Sequence, residues 1–200
     1  FTPPRIFERN IIPNYPEFAD VVPSLWESMK SADGKIYGIP QDAEARPLYF
    51  SKPLLRDLGW SDEEIEALPE KIKAGEFTFA DMLDVAQEAV ELGVVEEGNG
   101  YWHRPRNGKH LGIEWADWHT AVSSAENVLF WTGGTWNWGD WTVNYVADRG
   151  GEDYLFENIG VALVPALKTG KPITLTHPLA YMISSSSKRP DVAMALLAAI

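Results

Sequence analysis

Two stretches place large aromatic rings beside hydrogen-bonding side chains and flexible backbone. One is "FWTGGTWNWGDW", Phe130 to Trp141; the other is "GYWHRPRNG", Gly100 to Gly108. Seven of the nine Trp fall between Trp102 and Trp141, so the rings are concentrated rather than scattered through a core. Each ring offers about 150–250 Å² of flat apolar area with a polar handle at its edge. Sugars present flat C–H faces and hydroxyl edges, so a site for them needs aromatic platforms with Asp, Glu, Asn, Arg or His at the rim. Both stretches supply that combination. Each of these Trp taken singly also suits a core, and the composition alone leaves both readings open.

A third group, "QDAEARP", holds Asp42, Glu44 and Arg46 beyond a short strand. It reads as a solvated loop with a local ion pair, or as one half of a glycosidase carboxylate pair whose other half is not evident. Glu114, Asp117 and His119, with His110 nearby, are spaced three and two apart. Helical metal sites place ligands four apart, as in H-E-x-x-H, so no metal is expected. Ser184 to Ser187 lack the nucleophile-elbow context, and no phosphate- or dinucleotide-binding glycine signature is present, so no cofactor is expected.

The elements that must carry these groups alternate between strand and helix, which predicts an α/β fold. "SDEEIEALPEKI" opens with a capping box from Ser61 to Glu64 and meets Pro69, which is expected to interrupt it. "TFADMLDVAQEAVELG" is capped by Thr78 with Asp81. Its apolar stripe is Phe79, Met82, Leu83, Ala86 and Val90, and Gly93 ends it. "EWADWHTAV" gives a helical turn or two with Trp115 and Trp118 on one face, which suits a structural role. "NVLFWTGG" is a strand entering a glycine turn, and "TWNWGDWTVNYVADRG" begins a helix. Lys35–Ile39, after an Asp-Gly turn, and Val161–Val164 are short apolar strands ending at Pro, and they are expected to lie together. "LTHPLAYMISSSS" is a further strand before a terminal helix.

The 200 residues carry a formal net charge of −12, which makes nucleic acid and anionic membrane surfaces poor partners. There is no Cys, which excludes disulfides and thiolate chemistry. No apolar run reaches membrane-spanning length. The start, "FTPPRIFERN", is not a secretory signal, and the last helix stops without a cap; the expectation is a piece of a longer polypeptide.

Four stretches in order resemble the extracellular solute-binding proteins of carbohydrate ABC transporters. They are "VVPSLWESMKSADGKIYGIPQDAEARPLYFSKPLLRDLGW", "GEFTFADMLDVAQEAVELG", "NVLFWTGGTWNWGDW" and "IGVALVPALKTGKPITLTHPLAYMISSSSKRPDVAMALLAAI". The resemblance implies a type II periplasmic-binding fold, with two α/β lobes closing on ligand in the cleft between them. Residues 1–41 and 161–200 would then be parts of the first lobe and 42–160 the second. The fold would be incomplete, lacking the first part of one lobe and an internal helical stretch. Glu44 falls on the family's polar position past the first crossing. Trp102, His103 and Arg104 fall on the loop bearing a stacking aromatic, and Trp136 and Trp138 on the aromatic turn. Asp42, Arg46, Arg106 and Asp140 lie nearby.

The resulting expectation is a monomeric binding protein, not an enzyme. It captures a carbohydrate or related polyol and delivers it to the permease subunits of an ABC importer. It would be exported, periplasmic or extracellular, and possible attachment would come through a lipoprotein signal absent from this chain. The alternative is a glycoside hydrolase that uses the Trp-rich loops as subsites, and a third option is a Trp-rich adaptor without a small ligand.

Overall fold

Alternation of side chains along the strands sets the architecture. The protein, seen in a computed structural model, is described over residues 16–36, 38–103, 114–167 and 171–199. It divides into two compact units. The change-over falls at Glu44/Ala45 and at Leu175/Thr176, where the expected lobe boundaries were 41/42 and 160/161.

The larger unit holds a four-stranded sheet in the order β3-β4-β2-β5. These strands are β2 (Leu48–Ser51), β3 (Tyr101–His103), β4 (Phe130–Thr132) and β5 (Ile159–Ala162). β2 runs antiparallel to both β4 and β5, with Tyr49 opposite Trp131 and Val161, and Phe50 opposite Phe130 and Gly160. β3 is parallel to β4. Period-two alternation sends Leu48, Phe50, Phe130 and Ala162 to one face and Tyr49, Trp102, Trp131 and Ile159 to the other.

The first face is covered by α2 (Lys52–Asp57), α3 (Asp62–Ala74) and α4 (Phe79–Glu91). Ser61 and Glu64, and likewise Thr78 and Asp81, make full capping boxes at the starts of α3 and α4. Each box satisfies N–H groups that the first turn would otherwise leave unpaired. Pro69 does not interrupt α3, which continues to Ala74 and ends at Gly75 with φ 80°. Proline removes the bond to the carbonyl four residues back and crowds that carbonyl, and Ile65, Leu68 and Ile72, buried on one side, hold the helix through it. In α4 the buried positions are Met82, Ala86 and Ala89, while Leu83 is exposed, so the stripe is rotated from the expected one.

The second face is covered by α5 (Trp115–Ser123), α6 (Asn137–Asn144) and α7 (Glu152–Asn158). Gly160 is required at its place in β5, because a Cβ there would collide with the Phe50 ring.

The smaller unit contains α1 (Pro23–Ser28), α8 (Pro190–Leu197) and most of β1 (Ile39–Arg46) and β6 (Leu175–Tyr181), which form a two-stranded sheet. Its buried apolar residues are Phe18, Trp26, Ile39 and Met194. The Asp33–Gly34 turn forms, with Gly34 at φ 77°, but the strand after it starts at Ile39 rather than Lys35. The strand expected over Lys35–Ile39 and the one expected over Val161–Val164 take different pairing partners. β1 pairs with β6, and Val161 and Ala162 belong to β5 against β2. The apolar run of β5 is needed on the larger sheet, where Ile159 and Gly160 meet the two core faces.

Candidate functional site

In the larger unit a cavity of about 540 Å³ opens at the end of the sheet. It is lined by Arg46, Tyr101, Thr132 and Gly133, with Val164, Ile173 and Leu175 as its apolar wall. Tyr101 stands edge-on to Phe79 of α4 at 5.6 Å, and its hydroxyl is bonded to the Thr132 side chain. Burial pushes the Tyr101 phenol above its usual range, so it stays a neutral hydroxyl at working pH. Val164 and Ile173 face each other in a backbone bridge, and the Arg46 N–H donates to Thr174 Oγ1 at 3.2 Å. The lining thus offers a guanidinium, hydroxyls and one aromatic ring against an aliphatic wall.

The glycine turn after β4 places a second aromatic ring beside Arg46. A Cβ at Gly134 would collide with the Trp136 indole, so the ring lies across that glycine. The Arg46 guanidinium sits over the same ring, 4.8 Å from its centre. Trp136 is 37% exposed. The turn is held by groups from two strands. Tyr49 donates its hydroxyl proton to the Gly134 carbonyl at 3.1 Å, and Thr135 exchanges bonds with the backbone of Ala45. Burial raises the Tyr49 phenol far above its ordinary value, so this donor is permanent.

The twelve residues from Phe130 therefore divide. Phe130, Trp131 and Trp141 are core, whereas Trp136 and Trp138 keep exposed surface. The last two do not share one pocket. Two positions apart at the start of α6, they point in different directions. Trp138 stacks on Tyr49 and lines another cavity, about 470 Å³, with Phe156, Lys52 and Glu66.

Trp102 is 3% exposed and donates its ring N–H to the Gly98 carbonyl at 2.8 Å, so its indole is core and the neighbouring Tyr101 reaches the cavity. The His103 side chain, Arg104 and Arg106 lie outside the described residues. Asp140 accepts from Asn144 at 2.7 Å and stands 3.9 Å from His119 Nδ1, away from the cavity lining. Trp118 is fully buried, while its stacking partner Trp115, 5.1 Å away, is 48% exposed. His119 is buried and accepts the Trp141 ring N–H at Nδ1, 2.7 Å. Burial lowers its pKa against the opposing pull of Asp140, so it is a neutral core histidine. Among the described residues no three His, Asp or Glu gather in a metal-binding group.

In the smaller unit, Asp42 and Glu44 are on β1 itself rather than on a loop; Asp42 is exposed. Glu44 meets a partner that the sequence did not flag. His177 Nε2 on β6 lies 3.1 Å from Glu44 Oε2. Thr132 and His177 had no local signature, and Tyr101, inside the flagged stretch from Gly100, was passed over for its neighbour Trp102; strand register decides where each of them stands.

Comparison with known proteins follows the same outline. No curated protein matches the sequence. Maltose-bound MalE3 of T. maritima superimposes with TM-score 0.61 at 13% identity, covering 95% of this chain and 56% of that one. The GacH receptor of Streptomyces glaucescens, solved unliganded and with acarbose, gives 0.62 at 18%, covering 94% and 54%. An ABC transporter solute-binding protein from Thermotoga lettingae bound with α-D-tagatose gives 0.54 at 15%, covering 94% and 55%. The chain thus has their mixed α/β fold and spans about half the length of these structures. Residues 6–200 match the pattern of the bacterial extracellular solute-binding proteins, and the chain belongs to that family.

Proposed function

We propose that this chain is the ligand-capturing part of an importer for a carbohydrate or related polyol. Within the larger unit, Trp136 and Tyr101 would supply ring faces and edges, and Arg46 and Thr132 hydrogen bonds; Glu44, in the smaller unit, is proposed as a ligand contact on the family resemblance alone. The observation that carries the reading is the Arg46–Trp136 pair beside a roomy cavity that also presents Tyr101 and Thr132. Sugars are recognised by that mixture, and the solved relatives hold maltose, acarbose and tagatose. His103, Arg104 and Arg106 remain proposed contributors from the segment after β3. We further propose that the two units are portions of the two lobes, that closure on ligand is what a permease reads, and that the protein acts as an exported monomer. Export accords with the family, and among the described residues no helix is long and apolar enough to cross a membrane.

Hydrolysis is the less supported reading. It needs two carboxyl groups about 5–10 Å apart across the scissile bond, and among the described lining residues of the cavity there is no carboxylate. Calorimetric titration with a panel of neutral mono-, di- and oligosaccharides tests the proposal. Saturable one-site binding without product release is expected. Steady appearance of shorter sugars would overturn it in favour of hydrolysis, and no heat with any of them would remove carbohydrate as the ligand class.

A further inference from the structure

The cavity at the end of the sheet carries one sign of charge. Arg46 is the one charged group among its described lining residues, which otherwise bear hydroxyls, are aliphatic or are glycine. The protein around it is acidic, with a formal net charge of −12, so its overall field repels anions. A preference for an anionic ligand would have to come from a local cation. Arg46 is half-buried, where a charge pair is screened less than on open surface.

Arg46 is also held at its base and along its length. The preceding Ala45 N–H donates to Thr135 Oγ1 at 3.2 Å, and the Arg46 N–H donates to Thr174 Oγ1 at the same distance. The guanidinium lies over the Trp136 ring, 4.8 Å from its centre. A guanidinium carries five N–H donors in its own plane and accepts nothing. Contact with an aromatic face therefore does not use those donors, and their fork matches two oxygens of a carboxylate or phosphate at once. A sugar hydroxyl accepts from the same fork without an opposite charge, and such bonds are about half as strong.

We infer that this cavity selects a carbohydrate bearing an anionic group, a uronic carboxylate or a sugar phosphate, which seats on the Arg46 guanidinium. The inference rests on the carbohydrate-binding reading above and names the class of sugar within it. Tyr101 and Thr132, whose side chains are bonded to one another, offer hydroxyls to the rest of the sugar. Trp136 orders the guanidinium before ligand arrives, so less freedom is lost for each bond formed.

Calorimetric titration with matched neutral and acidic sugars provides the test. The sets are glucose against glucuronate and against glucose phosphorylated at its primary hydroxyl, galactose against galacturonate, and digalactose against digalacturonate. The wild type should bind the acidic member of at least one set roughly tenfold or more tightly than its neutral partner, as charge-assisted bonds replace neutral ones. The phosphate and carboxylate arms separate the two sources of charge. Arg46→Gln keeps a polar side chain without the charge, and the ratio of acidic to neutral affinity should fall close to one. Arg46→Lys keeps the charge without the fork and should retain only part of the ratio. Thermal melts identify which variants are folded. If the wild type binds every set without preference for the acidic member, the inference fails while the functional reading stands. The same holds if the folded variants keep the full wild-type ratio, since the anion is then read elsewhere. If neither neutral nor acidic sugars bind the wild type, the functional reading fails and this inference with it.

Discussion

The two faces of the four-stranded sheet are built from different materials. One is mainly aliphatic, with Leu48, Leu54, Leu55, Ile65, Leu68, Ile72 and Met82 around Phe50, Phe77 and Phe130, and two of its helices begin in complete capping boxes. The other is aromatic and carries Tyr49, Trp102, Trp118, Trp131 and Trp141. Aliphatic side chains need only volume and exclusion of water. Indole and imidazole rings bring polar atoms inside, and each needs a partner. Trp141 and His119 satisfy one another, while Trp118 Nε1, Trp131 Nε1, His119 Nε2 and both polar atoms of Asn137 are buried with no hydrogen-bond partner among the described residues. The aromatic face is thus the more directional and the more demanding. It is also the face from which the Trp136 turn emerges, anchored by the Tyr49 hydroxyl. Directional contacts hold a turn in one orientation, which aliphatic packing does less well.

The largest effects should come from cutting either face. Trp131→Ala should cost about 3–5 kcal/mol and Leu68→Ala about 2–5 kcal/mol, both read by urea denaturation. They should differ in what survives near the midpoint. In Trp131→Ala the fluorescence of the Trp136 region should change before the helical signal is lost, whereas Leu68→Ala should lose both together. Coincident loss in both variants would show that the faces do not differ in this way.

Acid should strike the aromatic face first. His119 is neutral in the fold, with its pKa lowered by burial from the ordinary 6.5. Below that value the unfolded chain binds a proton that the folded chain refuses, so stability falls as pH drops below about 6.5 and is fully present above it. Protonation also removes the lone pair that receives the Trp141 N–H. Melts of the wild type between pH 7.5 and 5 should show this decline, and His119→Gln should flatten that part of it. An identical decline in the variant would place the acid sensitivity elsewhere.

A smaller loss should follow Thr78→Ala on the aliphatic side. The Thr78 side chain accepts the Asp81 N–H, and Asp81 accepts the Thr78 N–H and hydroxyl. Those bonds hold the Asp81 carboxyl below its usual range. Removing the cap should cost about 1 kcal/mol by denaturant melts, with sugar binding unchanged. The smallest stability change should be in Trp136→Ala, within about 0.5 kcal/mol, since that ring is partly exposed. Its sugar affinity should nevertheless fall by roughly twofold to tenfold, because stacking on one ring is worth about 0.5–1.5 kcal/mol. A Trp136→Ala protein that melts early but binds normally would make the turn a core element.

Local chemistry is what the sequence determined by itself. The capping boxes at Ser61 and Thr78, the Asp33–Gly34 turn and the strand leading into Gly133 are all short-range events. Their hydrogen bonds join residues two to four apart, so residue types at fixed offsets specify them. The order of strands and helices likewise announced an α/β chain. Tertiary structure decided the partners. Pro69 was carried through α3 by burial of its neighbours, and the strand ending at Ala162 was claimed by β2 rather than β1. Of the clustered Trp, those alternating onto the buried face of the sheet became core, and Trp136 was left partly exposed under Arg46 by a turn that only glycine permits beneath its ring. Tyr101 rather than Trp102 faces that cavity, since adjacent strand residues point to opposite sides. Glu44 and His177, 133 positions apart, meet because β1 and β6 pair. Such a pairing depends on register between distant strands, and a one-residue slip would send each side chain to the other face.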